Sequence, residues 1–443
     1  MKIYPRVRVG WASAQHALIA LLFLTSQAFS APIETQEWDT KNGAHVVYYY
    51  APEVPMLDIN IAFAAGSAYD GPQFGLSALT QSLLDQGNAG LNAGQLASQF
   101  ATVGAQYHGA SSQDMMVLAL RTLTKPDALQ QAIETFALLI NHPDFPKDAF
   151  IREKNQQLLS IKHSKESADT VAQDTFYQTL YGQHPYAHPV RGRENAVNKI
   201  SIEDVRRFYK QYLVSQNAII VLAGAIDNTL AHQLAERLTQ DLPIGEAATS
   251  IPAAKPLEHA VDIKIQHPAS QTALRLGQLG ITHQNKDYFA LLVGNYILGS
   301  GSMGSRLSQE LREQRGLTYG VSSTLSAMPG FGPFIVTCST KHNQTKMALD
   351  ITQKTLSTFV KTGPDEQELV AAKQYLTGSF PISLAGNRNM ASLLVRLAFY
   401  HLPKDFLNTY IARINAVSSA DIQRAFQHQI NPDKLLQITV GRS

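Results

Sequence analysis

The chain has 443 residues, 44% of them apolar, with 37 Lys+Arg against 35 Asp+Glu and a single cysteine. Such a length suggests about two to four domains with sizeable cores, and one cysteine excludes an internal disulfide framework. Removing residues 1–30 takes away Lys2, Arg6 and Arg8 and no acidic residue, leaving 34 Lys+Arg against 35 Asp+Glu, so no basic footprint for nucleic acid survives.

Residues 1–30 read as a signal peptide. The three basic residues precede an apolar run, Ala17–Leu24, too short to span a bilayer, and Ala28-Phe29-Ser30 is a small-x-small cleavage site before Ala31. No Cys for lipidation and no twin Arg lie nearby. The expected location is the periplasm, with no transmembrane segment after cleavage. An N-terminal membrane anchor is disfavoured on the same length and cleavage-site grounds.

The first half, residues 31–241, opens with strands at Ala44–Tyr50 and Leu57–Phe63, where Leu57, Ile59, Ile61 and Phe63 alternate. Helices are expected around Leu76–Leu84 and Gly94–Val103, then a strand at Met115–Leu123. A helix with apolar residues at helical spacing follows over Ala128–Ile140, and more helices over Lys147–Ser164 and Thr170–Leu180. Residues 242–257, with Pro243, Pro252 and Pro256, read as a linker. The second half, 258–443, repeats the order: strands from Val261, helix Tyr288–Leu298, a glycine-rich stretch, strand Phe331–Ser339 and helices between Lys346 and Leu397. Cys338 sits in the apolar run FIVTCST and is expected to be a buried, inert thiol.

The repeat is explicit. Ile200–Gly224 lies over Val417–Gly441 without a gap, matching Ser201 with Ser418, Asp204 with Asp421, Arg207 with Arg424 and Gly224 with Gly441. Each copy reads as a Ser-capped helix followed by an apolar strand. Pro146 answers Pro364, and Gly104-x-x-Tyr107 answers Gly316-x-x-Tyr319. The expected fold class is α+β: two tandem homologous domains, each an antiparallel-rich sheet with helices packed on one face.

The stretch Gly299–Ser323 carries the most information. A glycine-rich turn leads to a helix in which Ser305 suits the N-cap, Leu307 and Leu311 share a face, and Gly316 suits C′. Leu317, Tyr319 and Val321 then alternate as a strand with one buried face, placing Arg312 and Tyr319 near the same space. Gly299-x-Gly301-x-x-Gly304 fits the dinucleotide fingerprint, but it follows a helical pattern instead of a strand, so a structural turn is expected.

This stretch resembles the second-half signature of the inverted-zinc-motif peptidases, the family of pitrilysin, insulin-degrading enzyme and the mitochondrial processing peptidase. The shared features are the glycine turn, Ser305-Arg306-Leu307, Leu311-Arg312-Glu313 and Gly316-Leu317-Thr318-Tyr319, in register. The resemblance implies a clam-like half-chamber completed by a second chain. It also implies that Arg312 and Tyr319 bind substrate and stabilise the transition state at a zinc held elsewhere, and that Gly299, Gly301 and Gly304 form a substrate-binding loop.

Where active relatives carry G-x-x-H-x-x-E-H, this chain has Gly75–Asn88. The two zinc histidines map to Ala78 and Ser82, the general-base glutamate to Gln81, and the third ligand to Leu159. Ala78 has no donor atom, Ser82 is a poor zinc ligand, and the Gln81 amide cannot accept a proton near neutral pH. Glu153 is a carboxylate nearby but cannot hold zinc alone. His184 and His188 have H-x-x-x-H spacing, yet Pro185 and Pro189 break a continuous helix there. His163-x-x-Glu166 is followed by Ser167, not His.

The functional expectation is a non-catalytic subunit of a heterodimeric zinc peptidase, inactive alone and without cofactor in this chain. Its partners would be a homologous exported subunit with an intact inverted zinc motif, which holds the zinc, and a peptide substrate. Two alternatives stay open: a non-enzymatic assembly or peptide-binding protein of the same fold, and an independent zinc peptidase with displaced ligands.

Overall fold

Thirteen strands carry the architecture in a computed structural model that describes residues 32–442. The signal-peptide reading therefore lies outside the described residues. In the first half the strands are β1 (Gln36–Asp39), β2 (His45–Tyr50), β3 (Met56–Phe63), a short hairpin β4 (Gly87–Asn88) and β5 (Leu91–Asn92), β6 (Gln106–Ser111), β7 (Met116–Leu123) and β8 (Ala218–Gly224). The second half holds β9 (Val261–Gln266), β10 (Thr272–Leu279), β11 (Thr318–Leu325), β12 (Pro333–Thr340) and β13 (Leu436–Gly441).

The two large sheets have one topology. The first runs β1-β2-β8-β3-β7-β6 and the second, read from its far edge, β9-β13-β10-β12-β11. In each, the strand after the repeated helix pairs parallel with the half's early strand, β8 with β2 and β13 with β9, and the other ladders are antiparallel. Thus β2, β3, β6, β7 and β8 correspond to β9 to β13 in order, with β1 an added edge. Both repeated helices start from a capping box. Ser201 Oγ accepts from the Asp204 N–H at 3.2 Å and Ser418 Oγ from the Asp421 N–H at 3.1 Å, while each aspartate accepts from its serine N–H in return.

Alternation explains one face of each sheet. Leu57, Ile59, Ile61 and Phe63 are fully buried against helices that include Leu76–Leu83 and Pro126–Asn141. The opposite face is buried as well, because Asp58, Asn60 and Ala62 lie under the helix Asn387–Phe399 of the second half, which crosses β3 and β8. Reciprocally, the helix Ala168–Tyr181 of the first half crosses β10 and β13, packing Ala172 and Phe176 on Ile335, Ile438 and Val440. Buried charges at these contacts are paired. Asp58 takes a two-pronged bond from Arg121 at 2.9 and 2.9 Å, and Arg275 reaches Asp169 at 2.6 Å and Gln173 at 3.0 Å.

Residues 243–260 have no regular structure but are docked. The Pro252 carbonyl meets His184 Nε2 at 2.8 Å, the Ala254 N–H donates to the Gly330 carbonyl at 3.0 Å, and Ala254 is buried. Cys338 is buried and unpaired, and burial pushes its thiol pKa up, as an inert thiol requires.

Candidate functional site

The glycine-rich stretch folds as a helix, Tyr288–Asn295, that widens into a π-turn over Tyr296–Ser300. After the turn, Arg306–Ser308 is α-helical and Gln309–Glu313 widens again. Leu307 and Leu311 are fully buried, as their shared face requires. Gly316 has φ +60°, and the Leu317 N–H closes on the Leu311 carbonyl at 2.8 Å, ending the helix. Ser305 occupies the N-cap position, but its hydroxyl donates to the Ser302 carbonyl at 2.8 Å and caps no helical N–H.

The three glycines do different things. A Cβ on Gly299 would lie 2.4 Å from Ser323 Oγ and 2.6 Å from Ser323 N, so this glycine lets the turn press onto β11. One on Gly301 would meet the Tyr296 carbonyl at 2.7 Å, whereas one on Gly304 would meet nothing within 4 Å. The arginines differ too. Arg306 is locked, with Nε and Nη2 both 2.6 Å from the Glu368 carboxylate, Nη2 also 3.0 Å from the Gly363 carbonyl, and its guanidinium over the Phe359 ring.

Arg312 and Tyr319 come together. The Arg312 guanidinium lies 5.3 Å from the Tyr319 ring centroid, and its ion-pair neighbour is Glu313 at 3.5 Å. Tyr319 is 88% exposed, and its hydroxyl has no hydrogen-bond partner among the described residues. This corrects the expected alternation. Leu317 and Thr318 are both buried and Tyr319 and Gly320 both exposed, because the β11–β12 register slips by one residue between Thr318 and Val321. The Thr318 hydroxyl clasps this bulge, accepting from the Gly320 N–H at 3.1 Å and lying 2.7 Å from the Ser339 carbonyl.

In the first half, the helix Leu76–Leu83 buries Leu76, Leu79 and Leu83. Its N-terminus is held by Asp70, whose carboxylate accepts from the Gly75 N–H at 2.6 Å and the Ser77 N–H at 2.7 Å. Burial nevertheless pushes Asp70 up to about 8, against the pull of those N–H groups. Ala78 and Gln81 face a cavity of about 480 Å³ that Asp174, Tyr177, His188 and Arg191 also line. The Gln81 amide packs where Gly109 of β6 leaves room, with 2.3 Å between its Nε2 and an added Cβ. The Ser82 hydroxyl donates to the Leu79 carbonyl at 3.0 Å, and Leu159 is 54% exposed.

These residues do not fit a zinc ion, and among the described residues no three His, Cys, Asp or Glu side chains cluster as ligands. His184 spends both ring nitrogens, on the Pro252 carbonyl and the Tyr186 N–H. His188 is buried against Phe74, and burial pushes its pKa down. His163 and Glu166 form an exposed pair at 3.5 Å. The sequence reading missed Asp70 and a junction at Asp114, where Tyr186 and Tyr400 of opposite halves both donate to one buried carboxylate. No local pattern marks a bond across 286 residues.

Comparison with known proteins identifies the family and the fold. The insulinase (peptidase family M16) model matches residues 45–194, and the peptidase M16 inactive-domain model matches 199–376. The crystal structure of a peptidase M16 inactive domain from Pseudomonas fluorescens is 34% identical, with a TM-score of 0.90, covering 93% of this chain and 99% of that one. The "Non-peptidase homolog YmxG" of Helicobacter pylori is 25% identical over 411 residues, 91% of this chain and 93% of that protein. The "Uncharacterized zinc protease YmxG" of Bacillus subtilis is 25% identical over 358 residues, 81% of this chain and 86% of that protein. No helix among the described residues is long and apolar enough to cross a membrane. The chain belongs to the insulinase, or M16, peptidase family, as one of its non-catalytic members.

Proposed function

We propose that this chain is the non-catalytic subunit of a two-chain periplasmic zinc peptidase. A homologous exported partner with an intact inverted motif would hold the zinc, and this chain would hold none. Its own contribution would be Arg312, Tyr319 and part of the wall along which a peptide lies. One contrast carries this reading: Arg312 and Tyr319 stand together at the surface, while Ala78, Gln81, Ser82 and Leu159 offer nothing to a metal. A guanidinium and a phenol hydroxyl side by side can both donate to a peptide carbonyl oxygen as negative charge develops on it. Gly299 and Gly301 support the pair indirectly, by seating the turn against β11.

The name carried by the Helicobacter pylori relative favours a second reading, in which the same surface binds peptide or partners without turnover. Mixing the purified chain with an exported relative that bears H-x-x-E-H distinguishes the two. Hydrolysis of an unstructured peptide is expected in the mixture and in neither chain alone, with zinc following the partner in elemental analysis. Stoichiometric zinc in this chain, or hydrolysis by it alone, overturns the subunit reading. Peptide capture without hydrolysis in the mixture supports the second.

A further inference from the structure

A second cavity, of about 370 Å³, lies where the two halves meet and contains neither Arg312 nor Tyr319. Asp114 enters it from the β6–β7 turn, Tyr177 from one exchanged helix, His283 and Tyr288 from beyond β10, and Arg396 and Tyr400 from the end of the other exchanged helix. Its size and mixed aromatic and aliphatic lining are those of a small-ligand site.

Its polar groups are unevenly spent. The Asp114 carboxylate is occupied by the Tyr400 hydroxyl at 3.0 Å and by the Tyr186 hydroxyl. By contrast, both His283 ring nitrogens are buried without a partner, although the ring stacks on Tyr400 at 3.9 Å. A native interior seldom leaves such atoms orphaned, and one that does calls for an explanation. Burial, helped by the Arg396 charge, holds the His283 imidazole down to about 4, so near neutral pH it is uncharged and offers one N–H and one lone pair. The Tyr177 and Tyr288 hydroxyls and the Arg396 guanidinium likewise have no hydrogen-bond or ion-pair partner among the described residues. Among the charged residues of the lining, Asp114 is taken up by two tyrosine hydroxyls, and Arg396 is the cation left without a hydrogen-bond or ion-pair partner among the described residues.

We propose that this junction cavity binds a small carboxylate with an apolar body, such as the C-terminal residue of a peptide or a free branched carboxylic acid. The carboxylate pairs with Arg396 and the tyrosine hydroxyls, His283 takes a neighbouring polar group, and the apolar body lies against side chains such as Leu292 and Met328. The site draws residues from both halves, so an occupant would brace them against each other.

Calorimetric titration of the whole chain tests this without any partner subunit. Three probes serve: N-acetyl-alanyl-leucine, its C-terminal amide and 4-methylpentanoate. Saturable binding of the free-acid dipeptide is expected, with the amide at least about tenfold weaker. Tighter binding of the dipeptide than of 4-methylpentanoate identifies a peptide terminus as the source, and equal or reversed binding identifies a free acid. Arg396→Gln changes an exposed residue and should weaken binding by about tenfold with an unchanged melt. His283→Phe keeps the stack on Tyr400 and should weaken it by roughly three- to tenfold. No saturable binding by the wild type up to about 10 mM, equal binding of acid and amide, or an unaltered Arg396→Gln would overturn the proposal.

Discussion

Gly104-x-x-Tyr107 and Gly316-x-x-Tyr319 open corresponding strands, and both glycines take left-handed φ, +67° and +60°. From there the two copies diverge. β6 pairs with β7 in unbroken register, and Tyr107 turns inward, its ring stacking 6.0 Å from Phe100 and its hydroxyl buried. β11 carries one extra residue, and Tyr319 turns outward beside Arg312. A single inserted residue in a ladder therefore separates a core aromatic from a displayed one. The equivalent helices differ in the same way: Leu76–Leu83 turns Leu76, Leu79 and Leu83 into the core, while the stretch after Tyr288–Asn295 sets Arg312 beside the exposed Tyr319.

The comparison breaks most visibly in stability. Tyr107→Ala should cost roughly 3–4 kcal/mol, as truncation of a packed aromatic does, and Tyr319→Ala within about 0.5 kcal/mol; urea midpoints at constant m-value read both. A costly Tyr319→Ala would mean that the tyrosine is structural after all. The arginine pair sharpens the same point on a smaller scale. Arg306→Ala should cost about 2 kcal/mol by stripping Glu368 of a two-pronged partner, while Arg312→Ala and Arg315→Ala should each stay within about 0.5 kcal/mol.

The smallest effects test where the halves agree. Ser201→Ala and Ser418→Ala should each cost about 1 kcal/mol, and unequal costs would show that the two capping boxes are not equivalent. Hydrogen bonds from Ser418 and Arg424 hold Asp421 down to about 2. Asp204 is also held at about 2, where burial works against ionisation but hydrogen bonds from Gln73, Ser201 and Arg207 outweigh it. With folded pKa values below the unfolded value of about 3.9, the stability these aspartates add is complete above about pH 4 and lost as pH falls through about 2. Asp421→Asn should flatten part of that acid limb in a melting series from pH 5 to about 2.

Local patterns were legible wherever a residue's role depends on its neighbours in sequence. The capping Ser201 and Ser418, the buried Leu57–Phe63 face, the Leu307/Leu311 pair and the Gly316 stop could all be read in the chain. The repeat gave the shared strand order. What stayed hidden depends on contacts made across the chain. The burial of Asp58 and Asn60 is not legible in β3, because nothing in that strand announces the helix Asn387–Phe399 above it. The break in the Leu317/Tyr319/Val321 alternation stayed hidden because a bulge is a property of two strands, decided by how Thr318 and Val321 find Thr340 and Cys338. The role of Asp114 is hidden because its partners, Tyr186 and Tyr400, lie far along the sequence.

The displayed tyrosine is the centre of the account, and Tyr319→Phe tests it most directly because only a hydroxyl is removed. The measurement is peptide hydrolysis by the mixed subunits, with thermal melts of the variant chain alongside. An unchanged melt with turnover reduced by ~10²–10³ is expected if that hydroxyl stabilises the developing oxyanion, and Arg312→Lys should also be impaired through loss of the planar fork. Equal turnover for wild type and Tyr319→Phe would contradict the catalytic role and leave a peptide-binding or assembly protein as the account of this chain.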